Sequence, residues 1–249
     1  MRDLPSLAEI GAFYATYNSH YTGGGTSQGQ NLVRYARRYL RIVQDYSRSG
    51  RLIDVGSSNN PFPNHAATAG FRTTMVDFVR PSGLSLDVEF VCGDMNSEAP
   101  DWVQADSFDV VTSWAVLEHV PDTHAAARLL ASLCKPGGHI IVSTPEIGTG
   151  LTRHALGHSP WFYPPEHLTL ISPMALQRIF GGLNCRMLRW GRLEVSPLRY
   201  VARYGIGCAG AVTGAVVKAF APRYWRRQRD VRKQRFQGVT YFVFCKAAT

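Results

Sequence analysis

From about Gly50 onward, short apolar runs alternate with stretches of helical periodicity. That alternation predicts a parallel sheet with crossover helices. The predicted strands are Leu52 to Val55, Thr73 to Asp77, Val88 to Cys92, Phe108 to Ser113 and His139 to Ser143. Asp122 stands where it can cap a helix, Ala125 to Cys134 is rich in good helix formers, and Lys135-Pro136-Gly137-Gly138 stops it. Ser172 before Pro173 starts a further helix, which Gly181-Gly182 ends. Val239 to Lys246 is apolar at both alternate sets of positions, so both faces of this last strand should be covered, with Cys185 to Val195 pairing beside it.

Upstream, Ser6 and Glu9 stand at capping-box spacing before Ile10, Phe13, Tyr14 and Tyr17, which predicts a short first helix. After TGGGTSQG, a second helix is expected from about Gln28 to Tyr46. Leu32, Tyr35, Tyr39, Ile42, Val43 and Tyr46 form its apolar face, and Arg34, Arg37, Arg38 and Arg41 its polar one. Between the last two strands, Ser196 to Gly238 is an insertion whose centre, YGIGCAGAVTGAVV, is uncharged and rich in small residues. It falls short of the roughly twenty apolar residues a membrane span needs. The leading reading is a helix packed on the body or on a twin subunit, ahead of a cap over the substrate or an interfacial membrane anchor. The expected organisation is one domain, with residues 1–48 an N-terminal helical segment, 51–195 and 239–249 the sheet core, and 196–238 the insertion.

Composition adds three constraints. A chain of 249 residues can bury a substantial single core. The five cysteines are odd in number and mutually distant, which argues against a disulfide framework or zinc cluster and favours a reducing, cytoplasmic setting; the first residues, MRDLPSLAEI, lack the apolar core of a signal peptide. The net charge of +9 is concentrated between Arg223 and Arg235, where seven basic residues face the single Asp230. That run is read first as a solvated helix face, with a polyanionic partner as the alternative.

The chemistry starts at IDVGSSNNPFP, Ile53 to Pro63, where an apolar run ends in an acid and a small polar loop opens. Asp54, Asp77 and Asp94 each follow one of three successive strands. All three should project over the carboxyl edge of one sheet, where ligands of open α/β folds bind. A dinucleotide fingerprint would want glycine at positions 58 and 61, which are Ser58 and Pro61, and no G-K-S/T is present for a P-loop. Carboxylates would also repel a phosphate. A ligand with ribose, adenine and a positive charge, such as S-adenosylmethionine, suits the acids better.

At DVGSSNN, VDF, GDM, SFDVVTSWAVLEHVPD, LCKPGGHIIVSTPE and EHLTLIS, taken in that order, the chain resembles the class I S-adenosylmethionine-dependent methyltransferases. The LEHVPD and KPGG pair is the most specific part. The resemblance implies a Rossmann-like, doubly wound, mostly parallel seven-stranded sheet with an antiparallel last strand, N-terminal helices forming a lid, and a helical insertion before that strand. It implies a cofactor site drawn from Asp54, Gly56, Ser57, Ser58, Asp77, Phe78, Asp94, Met95, Ser113 and Trp114. Asp54 and Gly56 would shape the methionine pocket, Asp77 hold the ribose hydroxyls, Asp94 and Met95 meet the adenine, and Ser113 and Trp114 lie by the sulfonium. Tyr14, Tyr17 and Tyr21 would close the site from the N-terminal segment, because aromatic faces favour a cation. Ser58 and Asn60 stand where the family repeats glycine, and asparagine tolerates left-handed backbone.

Methyl transfer asks the protein to align a nucleophile with the methyl group and to exclude water, with a base where the nucleophile is oxygen or nitrogen. Glu118 and His119 follow the fourth strand, and His154, His158, Glu166 and His167 follow the fifth, beside the apolar Trp161, Phe162 and Tyr163. His119, His158 and His167 are the candidate bases. No compact carboxylate or thiol partner completes a metal site in the sequence. The expected function is methyl transfer to an oxygen or nitrogen of a small molecule or glycoconjugate, with no nucleic-acid partner. The alternatives are an RNA- or membrane-lipid-directed enzyme using the 223–235 cluster, and a catalytically silent relative.

Overall fold

The computed structural model describes Glu9 and residues 27–95, 104–145, 167–193 and 239–248. Seven strands form one sheet: β1 (Gly50–Val55), β2 (Phe71–Asp77), β3 (Glu89–Cys92), β4 (Phe108–Trp114), β5 (Cys134–Pro145), β6 (Cys185–Arg192) and β7 (Val239–Lys246). Their order is β3-β2-β1-β4-β5-β7-β6. The first five pair in parallel, and β7 runs antiparallel to both β5 and β6. Four helices accompany them among the described residues: α1 (Ser27–Gln44), α2 (Phe62–Thr68), α3 (Thr123–Leu133) and α4 (Pro173–Gly181).

The near-continuous apolar strands follow from burial on both faces. Successive strand residues point to opposite sides, and the core divides accordingly. On one face Ile53, Val55, Val111, Ile140, Val142, Phe242 and Phe244 pack with Leu130 and Leu133 of α3 and Leu176 and Phe180 of α4. On the other, Leu52, Val110, Ile141 and Val243 pack with Ala36, Tyr39, Ile42 and Val43 of α1 and Phe62 and Ala66 of α2. The result is three layers, with the expected antiparallel strand β7 covered on both sides.

Local chemistry sets the helix ends. The Asp122 carboxylate accepts from the Ala125 amide at 2.9 Å, and the Ser172 hydroxyl oxygen from the Ala175 amide at 3.2 Å, so both N-caps foreseen in the sequence are present. At the other end of α3 the Lys246 ammonium donates to the carbonyls of Ala131 (3.0 Å) and Cys134 (2.9 Å) and to the Asp106 carboxylate (2.6 Å). A cation at a helix C-terminus satisfies orphan carbonyls and complements the helix dipole. Lys246→Met is therefore expected to cost about 1–3 kcal/mol in chemical denaturation, as for a lost charge-assisted hydrogen bond. A change within error would show that this staple contributes nothing.

Several boundaries and one element differ from the sequence expectation. β5 starts at Cys134 rather than His139, because Cys134 pairs with Phe108 before a register shift brings Val110 against His139. The Lys135–Gly138 stretch is absorbed in that irregularity. A Cβ on Gly138 would lie 2.8 Å from Cys134 Sγ and 3.0 Å from the Asp109 carbonyl, so the position needs glycine. β6 ends at Arg192, although the Leu193 amide still reaches the Val239 carbonyl at 2.9 Å. α2 had no counterpart in the sequence reading. Apart from Glu9, the helix expected near Ser6 lies outside the described residues, as does the 196–238 insertion with its basic run. Among the described residues, no helix is long and apolar enough to cross a membrane.

Candidate functional site

Between β1 and β4 the direction in which strands are added reverses, the kind of switch point at which open α/β sheets bind ligands. Asp54 sits at this point, its Cα in register with Met75 on one side and Thr112 on the other. Its side chain is fully buried. The Thr112 hydroxyl donates to Oδ1, while Oδ2 has no hydrogen-bond partner among the described residues. Burial, aided by the nearby Asp77 charge and opposed by the Thr112 hydrogen bond, raises the carboxyl pKa to about 8.

The loop after β1 is shaped by two left-handed residues, Gly56 at φ +81° and Ser58 at φ +50°. The Gly56 amide donates to the Val76 carbonyl at 2.9 Å, which joins the loop to β2. A Cβ at Gly56 would fall 2.7 Å from Val116 Cγ2, so glycine is required both by backbone angle and by the close approach of the β4–α3 loop. The serine where the family repeats glycine thus adopts the glycine-like conformation. The neighbouring Ser57 hydroxyl is buried without a hydrogen-bond partner among the described residues.

Asp77 closes the next strand at 8% exposure. Its Oδ2 accepts from the Ser58 amide at 2.6 Å and its Oδ1 from the Phe78 amide at 2.7 Å. Burial raises its pKa despite these bonds. With the Val79 amide as a third backbone donor, the carboxylate is held firmly against the loop. The Gly93 amide donates to the Asp77 carbonyl at 3.1 Å, bringing the turn with half-buried Asp94 alongside. Met95 is buried in the cluster that includes Val76 and Leu117, and the Phe78 ring is 43% exposed.

Ser113 and Trp114 are turned to packing. The Ser113 hydroxyl donates to the Val55 carbonyl at 3.1 Å across the switch point. The Trp114 ring stacks on Tyr39 of α1 with centroids 3.9 Å apart and meets Phe62 edge-on at 5.5 Å. Its indole N–H is buried with no hydrogen-bond partner among the described residues. In the sequence Tyr39 belongs to the α1 apolar face alone, yet its buried side chain lies in the electrostatic range of both Asp54 and Glu118. Thr112 and Val116 were also passed over. The one available signal was a threonine interrupting the apolar run FDVV. Tyr14, Tyr17, Tyr21 and His158 lie outside the described residues.

After β4 the chain turns at Ala115, φ +55°, whose amide donates to the Ser143 hydroxyl oxygen and carbonyl, each at 3.0 Å. Glu118 and His119 follow on the β4–α3 loop. Glu118 is 1% exposed, and its Oε1 stands 3.9 Å from His119 Nε2. His167, 48 positions further on, packs edge-to-face on His119 with ring centroids 4.7 Å apart. One ligating atom from each of the three residues lies within 4.8 Å of the others. The backbones are tied as well: the amides of Leu168 (2.8 Å) and Thr169 (3.1 Å) both donate to the Glu118 carbonyl. The compact grouping that the linear spacing did not reveal is therefore present in the fold.

A family profile described as "Methyltransferase domain" matches residues 28–189. The chain belongs to the class I S-adenosylmethionine-dependent methyltransferases. Relatives of this methyltransferase include the ubiquinone biosynthesis O-methyltransferase of Xanthomonas oryzae pv. oryzae, 35% identical over 147 residues, 55% of this chain and 60% of that protein. The protein of that name from Ralstonia nicotianae is 34% identical over 105 residues, 38% of this chain and 42% of its own length. The methyltransferase thus spans between 42% and 60% of these two relatives. Among solved structures it resembles the [4+2]-cyclase SpnF, with a TM-score of 0.63 at 18% identity over 99% of this chain and 98% of that one. It also resembles 1,6-didemethyltoxoflavin-N1-methyltransferase of Burkholderia thailandensis, solved with 1,6-didemethyltoxoflavin and S-adenosylhomocysteine, with a TM-score of 0.57 at 15% identity over 98% and 93% of the two chains. These structural likenesses carry the fold alone.

Proposed function

We propose that this methyltransferase moves the methyl group of S-adenosylmethionine to an oxygen of a small-molecule acceptor. The observation that carries the reading is the buried Asp54 carboxyl with its idle Oδ2 at the strand switch point. The bound cofactor supplies an electrophilic methyl on a sulfonium. Asp54 and the Gly56 loop would receive its methionine end, Asp77 its ribose hydroxyls, and Asp94 with Met95 its adenine. Oxygen is favoured over nitrogen by the relatives named O-methyltransferases and by the Glu118, His119 and His167 group, which can assist the loss of a hydroxyl proton as the oxygen attacks. Alignment and exclusion of water would do most of the remaining work.

Calorimetric titration with S-adenosylmethionine tests this. The unaltered protein should bind it, and Asp77→Ala should weaken it by about 10–100-fold, as expected for about 1.4–2.8 kcal/mol of lost hydrogen bonding. Equal affinities would remove Asp77 from the ribose site. No binding by the unaltered protein at millimolar cofactor would turn the reading to a catalytically silent relative.

A further inference from the structure

We propose that Glu118, His119 and His167 bind one divalent transition-metal cation of the zinc class beside the cofactor site. The donor set is one carboxylate oxygen and two imidazole nitrogens, from two loops that meet only in the folded chain. Magnesium and calcium take mainly oxygen ligands, whereas imidazole with carboxylate suits zinc and its first-row neighbours. Three protein ligands leave a fourth tetrahedral position open, the arrangement of reactive rather than structural zinc sites.

The spacing fits after a small closure. Ligands about 2.0–2.1 Å from a tetrahedral cation stand about 3.4 Å apart. The three candidate atoms already lie within 4.8 Å of one another. His119 and His167 are both partly exposed. The Leu168 and Thr169 amides already hold the second loop against the Glu118 carbonyl.

The use of such a cation rests on the O-methyl transfer proposed above, but its binding does not. An acceptor hydroxyl taking the open position would have its pKa lowered, as metal-bound water does. The O–H bond breaks, the proton passes to water, and the metal-held oxygen attacks the methyl carbon as the S–CH3 bond breaks. No electron leaves the system. On this account the two histidines are ligands, and the proton need not reside on either.

The test is binding of Zn2+ to the full chain in competition with a chromogenic chelator, together with the visible spectrum of the Co2+-loaded protein. One equivalent of Zn2+ should bind. His119→Ala and His167→Ala should each weaken it by more than the roughly 10–100-fold that loss of an outer-shell partner costs. Cys92→Ser, which alters an exposed thiol, should leave affinity unchanged and the Co2+ spectrum should lack thiolate bands. Absence of stoichiometric binding, binding that survives both histidine substitutions, or binding lost with Cys92 would each overturn the proposal. Thermal midpoints establish that the histidine variants are folded. Titrating S-adenosylmethionine into the same proteins separates the two ideas: retained cofactor binding without metal binding rejects the metal alone, and metal binding without cofactor binding rejects the transfer reading alone.

Discussion

An Asp54→Asn chain should be more stable than the unaltered protein at pH 8, yet bind S-adenosylmethionine at least about tenfold more weakly, a loss of about 1.4 kcal/mol or more. Asp54 is fully buried, and its carboxyl pKa rises from 3.8 to about 8 on folding. The folded state therefore keeps this proton across a window in which the unfolded state gives it up. Its contribution to stability is complete below about pH 4, falls as pH rises, and is lost above about pH 8. Asparagine has no proton to lose, keeps the oxygen that accepts from Thr112, and should flatten that part of the profile. The gain at pH 8 should be on the order of 1–3 kcal/mol once relaxation of the site is allowed for. The cofactor penalty has the opposite origin, because the sulfonium and ammonium no longer meet a carboxylate. Denaturant midpoints at pH 5 and pH 8, with calorimetry at each, decide it. Parallel pH profiles for the two proteins would mean that Asp54 is not the buried acid described here. The residue would be one that costs stability and returns function.

Gly56→Ala should lose about 2–5 kcal/mol of stability, combining left-handed strain of about 1–2 kcal/mol with overpacking of about 1–3 kcal/mol. The two parts can be separated. Val116 Cγ2 is the atom that a new Cβ would meet at 2.7 Å, so adding Val116→Ala should recover the steric part and leave the φ +81° strain. The double variant should therefore be less damaged than the sum of the single ones. Strict additivity in urea unfolding would show that the loops after β1 and β4 do not press on one another.

The sheet could be read from the chain because β1, β2, β4, β5 and β7 are largely buried on both faces, which leaves short apolar runs between polar turns. Asp122 and Ser172 were readable as caps because capping is decided within one helical turn. α2 escaped because Pro61 and Pro63 look like turn residues, whereas here they occupy the N-cap and first turn, where a missing amide costs nothing. The acids Asp54 and Asp77 were visible as strand-terminal charges. Their environment was not: the Thr112 hydroxyl and the Ser58 amide reach them across long stretches of chain, and Tyr39 lies within electrostatic range of Asp54. The same holds for Glu118 and His167, which are 49 positions apart and meet because two amides dock on one carbonyl. Trp114 illustrates the converse, since a position at a strand end suggested ligand contact while its ring stacks on a helix.

The placement of β7 between β5 and β6 bears on how the molecule comes into being. His139 waits for Cys245, 106 positions later, and β6 has no other strand to join until β7 is made. During synthesis the β3-to-β5 half can assemble as it leaves the ribosome, but the apolar edge of β5 stays open meanwhile. Such an edge invites wrong pairing and is a natural client surface for a chaperone. Completion comes as one late insertion, when a single strand zips both its neighbours at once.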